Sequence, residues 1–282
     1  MKIMLANVAI AKENDDFAVN HLSKIWKENF NLVRRPDTEI FSKFSDWGII
    51  GMEGFFYPAI DLLNSQAVLQ SCLSAEKEGF DGILITCFGD PMLDQIRSLV
   101  NIPVISIGEA SLYMAAIMAK KFGLVVISEA NIHETWHKVN ILGLKDFCAG
   151  IQATPEPPQK QPEGLIHASE TIDSFITAGK PLINQGAEIL IPCCGLMSPA
   201  LRIAPGCENS QPHGLTQIDQ VPIMDVLSVS LQLLESMIIL KKSGSPWISR
   251  RGIYRTPPQS ALESGKMVLN DNRQKFWTLR LT

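Results

Sequence analysis

Two stretches of this chain can be laid over each other without a gap. GFDGILITCFG (79–89) and GAEILIPCCG (186–195) both open on glycine. Gly79 then falls on Gly186, Asp81 on Glu188, Ile83–Leu84 on Leu190–Ile191, and Cys87 on Cys194. Cys193 falls on Thr86, one residue earlier. Farther along, NIPVISIGEASLYMAAIMAKK (101–121) parallels QVPIMDVLSVSLQLLESMIILKK (220–242). Each reads as a polar residue, an aliphatic, a proline, a strand, and a helix ending in two lysines. A chain with such a repeat is expected to fold as two related halves, each carrying a cysteine at one strand end.

The strands themselves are short apolar runs: Lys2–Val8, Gly82–Thr86, Val104–Ile107, Gly123–Ile127, Ile189–Pro192 and Val221–Met224. Runs of this length flanked by Gly or Pro suit strands buried on both faces. Segments with apolar residues at helical spacing lie between them, among them Tyr57–Glu78, Asp90–Val100 and His167–Gln185. Such alternation implies parallel sheets with helices on both sides. The expected fold is therefore α/β, with two pseudo-twofold related halves, each a parallel sheet flanked by helices. The active site is expected in the cleft between them. The first half takes residues 1–110 plus 222–240, the second residues 111–221. At 46% hydrophobic over 282 residues, the chain can bury cores for both.

Residues 241–282 differ in character and read as a basic C-terminal extension, with nine Lys or Arg against two acids. The aromatic and basic residues of SPWISRRGIYRTPPQS are expected to form an arm packed on an acidic body or a partner subunit. No nucleic-acid module precedes them, and the net charge of −4 calls for neither nucleic acid nor an anionic membrane. The start MKIMLANVAIAKENDD meets charges too early for a signal peptide, and the apolar run VPIMDVLSVSLQLLESMIIL carries Asp225 and Glu235. The expected location is the cytoplasm, where the six cysteines are thiols.

In open parallel sheets, ligands bind outside the carboxyl ends of the strands. Two thiols delivered there by related halves can address opposite faces of one carbon. A thiolate on one side removes a proton while a thiol on the other returns one. Cys193 points the other way, because side chains alternate along a strand, and is expected in the core. The turns after the cysteines, Phe88–Gly89 and Gly195, offer backbone N–H groups for a carboxylate or an enolate oxygen. Neither a metal nor an organic cofactor has a motif here, so none is expected.

ILITCFGDPMLDQIRSLVNIPVISIGEAS and GAEILIPCCGLM resemble the two cysteine motifs of the Asp/Glu/hydantoin racemase superfamily, hydantoin racemases above all. The resemblance covers roughly residues 1–240. It implies flavodoxin-like halves and cofactor-independent racemisation of a hydantoin or amino-acid-like substrate by Cys87 and Cys194. It also implies substrate contacts from Asn7, from Ser128 after the fourth strand, and from Glu53 in a loop closing over the site. Homo-oligomers are expected by the same route. The family's Asn-Pro-Asn-Thr-like turn is reduced here to Asn7 in ANVAIAKEN. Its two threonines after the fourth strand are replaced by VVISEA. A related maleate-type isomerisation of small acids is the alternative within this chemistry.

One competing signal stands outside it. HETWH (133–137) matches the H-E-x-x-H zinc pattern, with His133 and His137 on one helical face and Glu134 as base, and implies a zinc hydrolase. The structural reading is a helix that turns Ile132, Trp136 and Val139 inward. Asp225, after the strand Val221–Met224, is expected to cap a helix.

Overall fold

The computed structural model describes residues 1–13, 15–48, 52–211, 213–269 and 276–282. The chain divides into two compact units. The first holds Met1–Ala18, Arg34–Ser106 and Leu231–Thr282, the second Val19–Val33 and Ile107–Ser230.

From the N-terminus, β1 (Lys2–Ile10) leads through a π-helical turn, Phe17–Leu22, into α1 (Ser23–Asn31). Next come β2 (Glu39–Ser45), α2 (Pro58–Leu73), β3 (Gly82–Ile85), α3 (Leu93–Leu99) and β4 (Val104–Ser106). The second unit continues with α4 (Ile107–Met118), β5 (Phe122–Val126), α5 (Ala130–Ile141), β6 (Cys148–Ala153), α6 (Ser169–Asn184), β7 (Ile189–Pro192) and α7 (Met197–Arg202). A small hairpin, β8 (Gln217–Ile218) and β9 (Val221–Pro222), precedes the long α8 (Val226–Lys242). The chain closes with α9 (Gln259–Leu269) and β10 (Phe276–Arg280).

The first unit is built on a five-stranded sheet in the order β10-β2-β1-β3-β4. The pairs among β1 to β4 are parallel, and β10 runs antiparallel on β2. Met4, Ala6, Ile83 and Ile85 on one face pack with Val68 and Cys72 of α2 and with Leu93 and Ile96 of α3. On the other face a Cβ at Gly82 would lie 2.8 Å from Ile238 and 2.9 Å from Leu234, so α8 sits directly on the strand there. In the second unit β6-β5-β7 form a parallel sheet, and Ile223 extends it through a single bridge to Leu190. Gly123 gives α6 the same close approach, 2.8 Å from Leu182.

The two sheets share a register. β3 pairs with β1 from Ile3↔Gly82 to Ala6↔Ile85, and β7 pairs with β5 from Phe122↔Ile189 to Val125↔Pro192. The acid before each strand accepts from the backbone at the start of the neighbouring one, one position earlier in the second unit than in the first. Asp81 accepts from the Lys2 backbone N–H at 2.8 Å, and Glu188 accepts from that of Lys120 at 2.8 Å. Gly79, in the turns between α2 and β3, and Gly186, just past the end of α6, take φ 80 and 93, the left-handed conformation that glycine adopts without strain.

Three features depart from expectation, and the tail takes one of its two expected forms, packing on the body of its own chain. Strand β2, EIFSKFS, lacks an apolar run because it buries Lys43, whose charge is met by Glu78 at 2.6 Å and Ser74 at 2.9 Å. Strand β6, with Gly150 and Gln152 inside it, likewise has no apolar run. The expected strand Val221–Met224 is reduced to the β9 hairpin and the Ile223 bridge. The basic tail is part of the first unit. Its last strand pairs with β2, Trp277 stacks on Phe44 at 4.8 Å, and Arg250 donates to the Arg97 and Val100 carbonyls at the end of α3. No helix among the described residues is long and apolar enough to cross a membrane.

Candidate active site

The first cysteine stands where the β3 ladder stops. The Thr86 N–H makes the last bond, to the Ala6 carbonyl at 3.2 Å, and Cys87 follows half-buried. Its carbonyl accepts from the Ser106 hydroxyl at 3.1 Å and from the Asp90 N–H at 3.3 Å. Phe88 is buried and Gly89 exposed. Asp90 and Met92 then adopt positive φ, 55 and 54, before α3 begins. Two non-glycine residues held left-handed within three positions are a local strain, of the kind that collects at functional turns.

Asn7 ties this strand end together. Its amide donates to the Ser42 hydroxyl at 2.7 Å and the Lys43 carbonyl at 3.0 Å, and its oxygen accepts from the Thr86 hydroxyl at 3.2 Å. The buried side chain thus bridges β1, β2 and the end of β3, with both donors on protein acceptors. Its place is beneath the Cys87 turn.

The second cysteine occupies the equivalent place on β7. The Cys193 N–H makes the last ladder bond, to Val125 at 2.8 Å. Cys193 is buried, its Sγ turned to the Ile191 carbonyl at 3.4 Å, and burial pushes its thiol well above the usual range. Cys194 follows half-buried, with the Leu196 N–H directed at its Sγ at 3.4 Å. Burial pushes this thiol up, the Met197 and Leu196 N–H groups pull it down, and Glu156 adds an upward push. Gly195 is buried, and its carbonyl accepts from the Trp26 indole N–H at 3.2 Å.

A model of the family described as Asp/Glu/Hydantoin racemase matches residues 57–234, more than half of the chain and both cysteine turns. The chain belongs to the Asp/Glu/hydantoin racemase family. Among its curated relatives, the hydantoin racemase of Pseudomonas sp. (strain NS671) is 25% identical over 216 residues, 75% of this chain and 78% of that one. The hydantoin racemase of Paenarthrobacter aurescens is 27% identical over 194 residues, 67% of this chain and 74% of that one. Among solved structures, allantoin racemase from Klebsiella pneumoniae superposes with a TM-score of 0.72 at 23% identity, covering 92% of this chain and 94% of that one. The fold of this family member is thus shared with a solved racemase.

Other residues singled out in the sequence fall as follows. Ser128, half-buried beyond β5, accepts from the Ala130 N–H at 3.3 Å and so helps to start α5. Glu53 opens the short turn Glu53–Phe56, and its side chain lies outside the described residues. His133, Glu134 and His137 are exposed on α5, while Val139 is buried and Ile132 and Trp136 are half-buried. Among the described residues no group of three His, Cys, Asp or Glu is arranged to hold a metal ion. Asp225 caps α8 by accepting from the Ser228 N–H at 3.0 Å, and also takes Arg202 at 2.9 Å.

Two site residues had no motif to reveal them. Trp26 is the indole beside Gly195. Glu156 lies in the Pro-rich stretch that reads as a loop. It is buried, accepts from Gln161 at 2.6 Å and from the Thr171 hydroxyl at 3.0 Å, and is raised above the usual carboxylate range by burial. It lines a cavity of about 420 Å3 with Glu163, Ile166, His167, Ser169 and Glu170.

Proposed function

We propose that the chain is a cofactor-independent racemase or epimerase in which Cys87 and Cys194 form the acid–base pair. One thiolate takes the proton from an activated carbon, and the other thiol gives a proton to the opposite face. The supporting observation is the shared register. Each cysteine is the first residue past the last ladder bond of an equivalent strand, Thr86 N–H to Ala6 and Cys193 N–H to Val125. The same group thus stands at the same position on two equivalent strands.

The curated relatives, named as hydantoin racemases, support a cyclic ureide as the substrate class. A five-membered cyclic ureide carries a C–H next to a ring carbonyl, so the carbanion left by deprotonation is delocalised as an enolate. Backbone N–H groups after each cysteine suit such an oxygen. A thiol suits both proton transfers, since free cysteine titrates at about 8.5, and the Leu196 and Met197 N–H groups offset part of the burial that pushes Cys194 up.

The test uses a single enantiomer of a 5-monosubstituted hydantoin, or of allantoin, in deuterium oxide. Loss of optical rotation faster than in the protein-free control, with one deuterium entering the stereocentre, is the expected outcome. Unchanged rotation and no isotope entry across ureides and amino acids would remove the proposal.

A further inference from the structure

The Trp26 indole and the Cys194 sulfur meet the same peptide unit from its two ends. The carbonyl of Gly195 accepts from Trp26 Nε1 at 3.2 Å, and the N–H of Leu196 points at Cys194 Sγ at 3.4 Å. That carbonyl and that N–H belong to one planar amide. Turning the plane to lose the first bond turns the N–H away from the sulfur.

We propose that Trp26 is a positioning residue for Cys194: by holding the Gly195–Leu196 peptide, it aims the N–H that steadies the second thiolate. The assignment rests on the acid–base role given to Cys194 above. A buried indole needs some acceptor, and many carbonyls would serve. Here the acceptor is a peptide that also donates to the sulfur, alongside the Met197 N–H. A donor at the carbonyl end further polarises the amide and strengthens its N–H as a donor.

The rest of α1 keeps the indole in place. Asn29, one turn on, is fully buried and donates to Asp225 at 3.1 Å and to Ser228 at 3.2 Å. Asp225 in turn holds Arg202 of α7, and the Ser198 hydroxyl of α7 accepts from the Val226 N–H at 3.2 Å. Helices α1, α7 and α8 are thereby fastened to one another around the turn.

Trp26→Phe keeps the apolar ring and removes the N–H. Iodoacetamide labelling followed across pH, with each cysteine read by peptide mass spectrometry, needs no substrate. Cys194 should react roughly three- to tenfold more slowly at fixed pH, the size expected for one lost hydrogen bond, with its midpoint moved up and Cys87 unchanged. Where a hydantoin is racemised, Trp26→Phe should lower racemisation but spare isotope exchange at the enantiomer that Cys87 deprotonates. A general structural defect would instead lower exchange at both enantiomers together. If Trp26→Phe does not fold, 3-benzothienylalanine placed at position 26 preserves the ring shape with sulfur in place of the N–H, and the same readings apply. An unmoved Cys194 midpoint, or equal slowing at Cys87 and Cys194, overturns the proposal. A moved midpoint in a protein that racemises nothing leaves the positioning role intact and removes the racemase reading.

Discussion

The two cysteine turns share a register and differ in what supports them. At Cys87 the carbonyl is tied down by Ser106, and the chain beyond is strained through Asp90 and Met92. At Cys194 the sulfur itself receives an N–H, and a tryptophan from an earlier helix holds the peptide that supplies it. The strand ends have kept their geometry while their surroundings have diverged. Under the proposed chemistry the two thiols would need matching positions on their strands, and nothing in it requires equal environments.

Three experiments press on that comparison. The largest effect is expected from Cys87→Ser and Cys194→Ser, each lowering racemisation by about 10²–10⁴-fold, the usual span for a lost acid–base group. The two variants should be complementary in deuterium oxide, each retaining exchange at a different enantiomer. Retention at the same enantiomer would mean that the two turns do not play matching roles.

A middle effect is expected at the position before. Thr86 and Cys193 are equivalent, but the Thr86 hydroxyl has Asn7 as partner, whereas the buried Cys193 sulfur is turned to the Ile191 carbonyl of its own strand. Cys193→Ser should cost about 1–3 kcal/mol of stability by burying a poorly paired hydroxyl, seen as a lower melting temperature with activity per folded molecule retained. Loss of activity at full stability would assign the chemistry to Cys193 and break the repeat alignment.

The smallest effect concerns Glu156, whose charge pushes Cys194 up. Glu156→Gln should hasten Cys194 labelling at neutral pH and leave Cys87 alone. It also has a stability signature. A carboxyl raised in the folded state holds its proton more tightly there, so its ionisation opposes folding. That penalty is absent below the unfolded pKa and complete above the folded one. The melting temperature of Glu156→Gln relative to the parent should therefore improve from pH 4 to pH 7, and a flat or falling difference would place the charge elsewhere.

Much of this arrangement was legible in the residues. The gapless overlay of 79–89 on 186–195 matches Cys194 to Cys87 and Cys193 to Thr86, and Cys193 and Thr86 do make the equivalent last ladder bonds. What escaped was carried by polar atoms with distant partners. Lys43 hides β2 because its burial depends on Glu78, which no local pattern announces. Trp26 looks like any helical aromatic until Gly195 is brought beside it by the fold. Asn7 was legible as a special residue, yet its amide is spent on joining strands. The tail's basic charge drew notice, whereas its structural contribution is the strand FWTLR, five residues without a turn signal of their own.

That final strand has a temporal consequence. Arg280 meets Glu39, 241 positions earlier in the chain, so the outer edge of β2 has no neighbour until nearly the whole chain has been synthesised. Contacts this remote in sequence are slow to form, and a bare strand edge invites pairing with other chains in the meantime. Lys43 on that strand is a charge of the kind that discourages such pairing, and efficient recovery of this protein should depend more on slow, dilute refolding than its parallel core alone would require.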